Sequence, residues 1–243
     1  MYQLTLSRLG FFIRRQAVMN VQSLWIALGA ISGFLIVITV LVAYIAPYNL
    51  GSLKGLYITV FYFAGLIFTS RIFSELNKPQ KSYNLLTLPV SNLEKIAGAW
   101  IVTSPVFTLI YLLFIFLIIT ISSFVAGHPI DAVHFFDQDT LRSIAVYMVI
   151  QPVFLLGACA FIGNNFLKTV FSIFLFSVIV AIFSSILVSI FFEGGNLNSS
   201  TMDPGFLTFI EDDFVPVISF LFWYILGPFM LVVSYFKLKE RQI

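Results

Sequence analysis

Apolar residues run along this chain in six long blocks. The breaks between them are more polar, with proline, glycine and asparagine at the joints. The blocks cover about Leu24 to Ala46, Gly55 to Phe73, Ile96 to Ala126, Ile144 to Ile162, Val170 to Phe192 and Val215 to Phe236. A bilayer core about 30 Å thick needs roughly 20 apolar residues in a helix. Backbone groups in lipid find no water, so each block must bond internally as a helix. The pattern predicts an all-α, polytopic membrane protein with six transmembrane helices, forming a single domain over 1–243.

The third block is longer than a membrane requires. At about 31 residues it would reach about 45 Å, so it must tilt, kink or project. Pro105 offers a kink because it removes a backbone donor inside the helix. Pro152, next to Gln151, and Pro228, next to Gly227, offer the same in the fourth and sixth blocks. Before the first block, Leu6, Leu9, Ile13 and Ala17 fall on one helical face and Arg8 and Arg15 on the other. That pattern predicts an amphipathic N-terminal helix lying on the membrane, basic side towards anionic headgroups. The plain alternative is a basic leader that only sets topology. No cleaved signal peptide is expected, because the first apolar block is long enough to span.

Composition agrees with a membrane protein. The chain is 60% hydrophobic and 10% charged, with a mean hydropathy of +1.02, against roughly 25% charge in soluble domains. Cys159 is the only cysteine, which leaves no disulfide framework and reads as small core filler. The distribution of charge sets orientation. With both termini in the cytoplasm, Arg8, Arg14, Arg15, Arg71, Lys78, Lys81, Lys95, Lys168, Lys237, Lys239 and Arg241 are inside, 11 of the 13 basic residues, and only Lys54 and Arg142 are outside. The acids divide the other way, with only Glu75, Glu94 and Glu240 inside. The expectation is a multi-pass protein of the cell (inner) membrane.

Chemistry is sparse. The outer stretch Gly127 to Arg142 holds His128, Asp131, His134, Asp137 and Asp139, but their spacing fits no metal motif, and an exposed polar loop is the ordinary explanation. The outer stretch Glu193 to Phe214 suits a short interfacial helix. No ionisable residue lies deep in any block, whereas ion-coupled transporters keep one there. There is no His-Glu-x-x-His motif, no catalytic pair and no Gly-x-x-x-x-Gly-Lys-Ser/Thr phosphate loop. No catalytic, metal or cofactor site is expected in this chain, and no nucleic-acid partner. Any energy for work must come from another chain or from a gradient.

One stretch departs from the oil. Arg71 to Lys95 joins the second and third blocks on the basic side and is far longer than a connector between antiparallel helices needs. Leu85, Leu86, Leu88 and Val90 are apolar among Lys78, Lys81 and Lys95, the composition of a docking surface. Pro79 suits the first turn of a short helix, and Pro89 ends it. Ser91 with Glu94 three residues on reads as a capping box that starts the third span. A loop lying on the lipid surface is the alternative.

The same stretch carries a family resemblance. Ser70, Arg71 and Phe73, a lysine-bearing polar run, then Leu86, Leu88, Pro89, Ser91, Glu94 and Lys95 resemble bacterial type-2 ATP-binding-cassette permeases. The likeness is tight over about 25 residues and extends loosely, through six spans and an amphipathic start, to the whole chain. It implies a permease subunit that pairs as a homodimer or a heterodimer with a related permease. It implies a cytoplasmic ATPase partner that binds ATP and magnesium and docks on a coupling helix in 74–95. The coupling residues it points to are Glu75, Lys78, Lys81, Leu85, Leu88, Pro89, Glu94 and Lys95. The uncharged spans suggest an amphipathic or apolar substrate for export. A non-transporting membrane scaffold or sensor subunit fits the same topology, and a membrane enzyme fits least.

Overall fold

The structure, a computed structural model, describes residues 6–19, 21–45, 53–77, 90–126, 137–191 and 209–241. Every element among them is helical. We number them α1 (Leu6–Met19), α2 (Val21–Ile45), α3 (Lys54–Arg71), α4 (92–126), α5 (Gln138–Ala160), α6 (Asn165–Phe191) and α7 (209–240), with a single 3-10 turn at Ser74–Asn77 after α3.

Among the described residues four helices are long and apolar enough to cross a membrane: Asn92–Phe124, Gln138–Ala160, Asn165–Ile190 and Asp212–Glu240. They correspond to the third to sixth apolar blocks. The first two blocks fall on α2 and α3. The described apolar part of α2 is Gly29–Val42, and α3 has 18 residues with Lys54 and Arg71 at its ends.

The helices begin before the apolar blocks do, because their first turns are polar. Asp137 is the N-cap of α5, its carboxylate accepting from the Thr140 N–H at 3.0 Å. An N-cap acceptor satisfies one of the donors that a helix start leaves open. Gly163, at φ +93°, makes the turn from α5 into α6 in a conformation that glycine adopts without strain.

Two helices are broken by π segments. In α4 the segment is Val102–Val106 and contains Pro105. In α7 the segments are Phe209–Phe214 and Leu221–Leu226, and Gly227-Pro228 directly follow the second. The expected breaks at Pro105 and Pro228 are therefore seen. Pro152 lies inside α5, which runs as one uninterrupted α-helix.

Packing has one spine and two cores. On α3 the buried residues Tyr57, Phe61, Gly65 and Thr69 repeat every fourth position, a stripe that fits the groove of a neighbouring helix. That neighbour is α5, which also packs on α4, α6 and α7. The first core joins Phe12 of α1, Ile72, Phe73 and Leu76 after α3, Ile96 and Ala99 of α4, Leu155, Ala158 and Cys159 of α5, and Leu238 of α7. The second joins Leu35 of α2, Leu53, Tyr57 and Phe61 of α3, Tyr111, Ile115, Ile118 and Ile119 of α4, and Tyr147 of α5. Along α3, α4 and α5 the two cores occupy opposite ends. By contrast, every residue from Val170 to Leu187 on α6 is exposed.

Candidate functional site

The polar stretch after α3 starts and ends on the first core. Leu76 enters it before the described chain breaks off at Asn77, and Val90 and Ile96 rejoin it afterwards. Of the residues the sequence assigns to coupling, Lys78, Lys81, Leu85, Leu88 and Pro89 lie outside the described residues, as does the expected helix opening at Pro79. Glu75, Glu94 and Lys95 are described, and all three are buried. None of the three presents an exposed charge for a partner to meet. They fasten the two ends of the stretch to the body instead.

Glu94 does so through the expected capping box. Its N–H donates to Ser91 Oγ at 3.2 Å, and the Ser91 N–H donates to Glu94 Oε2 at 2.8 Å. The box fixes where α4 begins. Lys95 follows directly and is fully buried. Glu75 sits in the 3-10 turn and accepts from Arg15 Nη2 of α1 at 3.0 Å. Only one of the possible two bonds forms. Arg15 Nη1 and Glu75 Oε1 are buried without a partner among the described residues, which leaves part of the pair's desolvation uncompensated.

Sequence patterning missed this pair. It placed Arg15 on the face turned to lipid headgroups, whereas the guanidinium turns into the protein. Phe12, buried three positions earlier, docks the same side of α1 on the first core. Arg8, Phe11 and Arg14 remain exposed. The signal was present in Glu75, one of only three acids among the eleven bases expected inside.

At the far end of α3, Lys54 bridges Asp137 at 2.5 Å and Asp139 at 3.7 Å. Its hydrogen bond and that of the Thr140 N–H hold the Asp137 carboxyl at about 2, below its ordinary 3.8. Two members of the loop that suggested a metal site thus serve an ammonium and a helix cap. The other three, Asp131 and the two histidines, lie outside the described residues.

Between the two ends lies a buried polar node. Tyr147 and Gln151, one turn apart on α5, both hold Thr103 in the π segment of α4. Tyr147 Oη donates to the Thr103 carbonyl at 2.6 Å, and Gln151 Nε2 donates to Thr103 Oγ1 at 2.5 Å. Thr69 of α3 stands 3.4 Å from the same amide nitrogen. The phenol reaches this position because α3 presents Gly65 there. A Cβ on Gly65 would meet Tyr147 Oη at 2.5 Å. Sequence reading met Gln151 as the neighbour of Pro152 and missed this node; a tyrosine and a glutamine four apart on one helix were the clue.

Compared with known families, with characterised proteins and with solved structures, the chain finds no match.

Proposed function

We propose that this chain is the membrane permease subunit of an ATP-binding-cassette transporter of the type-2 kind, moving an amphipathic or apolar substrate outward with energy from a separate ATPase. In this reading α2 and α3 also cross the membrane, giving six spans with both termini in the cytoplasm. The subunit works as a homodimer or with a related permease in the cell membrane. ATP and magnesium belong to the partner ATPase.

One observation carries the proposal. Residues 78–89 link, in sequence, two anchors at the first core: buried Glu75 and Leu76 on one side, and the Ser91 cap with buried Glu94 and Lys95 on the other. A force applied to that segment is delivered to helices α1, α4, α5 and α7 together. Coupling to an outside motor needs such a rigid attachment. The buried charges serve as the attachment, and the contact itself falls to Lys78, Lys81, Leu85, Leu88 and Pro89.

The test is co-purification with the ATPase. Leu85→Asp with Leu88→Asp is expected to leave membrane insertion intact and abolish capture of the ATPase. Undiminished capture overturns the proposal. Capture without any substrate-stimulated ATP hydrolysis in reconstituted vesicles favours a scaffold or sensor subunit instead.

A further inference from the structure

The two cores meet at the polar node, and α4 is irregular at that same place. The first half of α4, Asn92–Ile101, packs on α1, α5 and α7, and the second half, Phe107–Ala126, packs on α2 and α3. Between them Pro105 has no N–H to offer, and the Phe107 N–H reaches back to Val102 O and Ser104 O, so the ladder slips by one residue. Such π insertions and proline sites are where helices bend.

The slipped ladder leaves polar groups stranded. Ser104 Oγ, Thr108 Oγ1 and Gln151 Oε1 are all buried and have no hydrogen-bond partner among the described residues. Ser104 and Gln151 are fully buried, and Thr108 is 3% exposed. Helical serines and threonines ordinarily bond the carbonyl one turn back. Thr39, Thr59, Thr69, Thr120 and Thr169 all do so here. Ser104 and Thr108 are exceptions, and both border the π segment. Three buried polar atoms left unpaired at one joint cost free energy that an arrangement pairing them would recover.

We propose that Thr103, gripped by Tyr147 and Gln151 and followed by Pro105, is the pivot about which the two packed halves of the molecule rock. α4 switches between this π form and a second form in which Ser104, Thr108 and Gln151 gain partners. Gly65 supplies the clearance that lets Tyr147 follow the joint. The inference holds for a transporter and for a scaffold alike, since it rests on the joint and not on what drives it.

The test is a distance measurement in the full chain in lipid nanodiscs. Spin labels go on Ile121→Cys, at the exposed outer end of α4, and Ile186→Cys, exposed on α6, which is rooted beside the first core through Thr169 against Gly157. The native Cys159 is fully buried and does not compete for label. The labelled chain is diluted with unlabelled chain, so that the distances read lie within one chain, and two populations are expected. Ser104→Ala with Thr108→Val removes stranded hydroxyls that disfavour the present form, so the population matching this structure rises roughly tenfold relative to the other. Pro105→Ala restores a backbone donor and shifts the populations the opposite way. A single distance that none of these variants moves overturns the inference. So does a second population left unchanged by both variants. The serine and threonine changes remove only unbonded groups, so loss of the fold is not their expected outcome. If Pro105→Ala fails to fold, the hydroxyl pair alone decides.

Discussion

The guanidinium of Arg241 closes the open end of α5. Its Nη2 donates to the carbonyl of Ala160 at 3.0 Å and to that of Phe161 at 3.3 Å. Those carbonyls belong to the last turn and C-cap of a helix, where acceptors are left over and a cation is favoured by the helix dipole. A residue at the end of the last helix thereby fastens the spine of the fold. Arg241→Met is expected to lower stability by about 1.5–3 kcal/mol, the range for hydrogen bonds to a charged group. Arg241→Lys recovers part of the loss. Reversible unfolding in mixed micelles measures both, and equal losses in the two variants would contradict the assignment.

The Arg15–Glu75 bridge is tested by reversal. Arg15→Ala and Glu75→Ala each leave a largely buried charge without its partner, at a cost of about 3–5 kcal/mol for a fully buried pair and less here because Arg15 is 22% exposed. Arg15→Glu with Glu75→Arg is expected to regain at least half of either loss. A thermodynamic cycle over the singles and the double reads the coupling. Strict additivity would show that the two residues act separately.

Acid stability reports on the other end of α3. The folded Asp137 carboxyl titrates at about 2, below its ordinary 3.8. The unfolded chain therefore holds more protons between those values, and stability falls with falling pH there. The contribution is complete above pH 3.8 and disappears as pH drops through 2. Wild type is expected to exceed Asp137→Asn in stability at pH 5 and to converge with it near pH 2. Lys54→Met flattens the same interval. A gap that stays constant down to pH 2 would remove Lys54 as the cause.

Close helix approach is tested at two glycines. A Cβ on Gly157 would stand 1.8 Å from Thr169 Oγ1, and one on Gly65 would strike the Tyr147 ring. Each alanine substitution is expected to cost about 1–3 kcal/mol, the usual range for overpacking. Thr169→Ala combined with Gly157→Ala should restore much of the loss, because Oγ1 and Cγ2 are gone and only the Thr169 Cβ, at 3.0 Å, still crowds the site. Phe substituted for Tyr147 should relieve Gly65→Ala only in part, because the ring atoms also crowd that site at 2.6–2.7 Å.

The helices were legible in the hydrophobic pattern because membrane helices must satisfy their own backbone and need little else. Local chemistry was legible too: the Ser91–Glu94 box, the break at Pro105 and the start of α7's last segment at Gly227-Pro228 each depend on neighbours in sequence. What escaped was everything that depends on which faces meet. Arg15 and Glu75 are 60 positions apart, and a helical wheel of α1 alone assigns Arg15 to lipid. Tyr147, Gln151, Thr69 and Thr103 carry no charge, so a search for ionisable groups passed over the best-connected polar cluster. Glu94 and Lys95 look like surface residues in any composition-based reading, yet both are buried where α4 enters the first core. The charges from Glu75 to Lys95 thus divide into buried residues at the two ends and the lysines between them in sequence, a distinction that patterning does not make.

The exposure of α6 has a consequence for how this chain drifts over generations. Ser172 and Ser177 bond back to Lys168 and Ile173 of their own helix, and every residue from Val170 to Leu187 is exposed. Among the described residues none buries these side chains, so the main demand on a position there is that it be apolar. Leucine, isoleucine, valine and phenylalanine should therefore exchange freely along that helix among descendants and in a saturation library. A position there that refuses such exchange would mark the touch of another molecule.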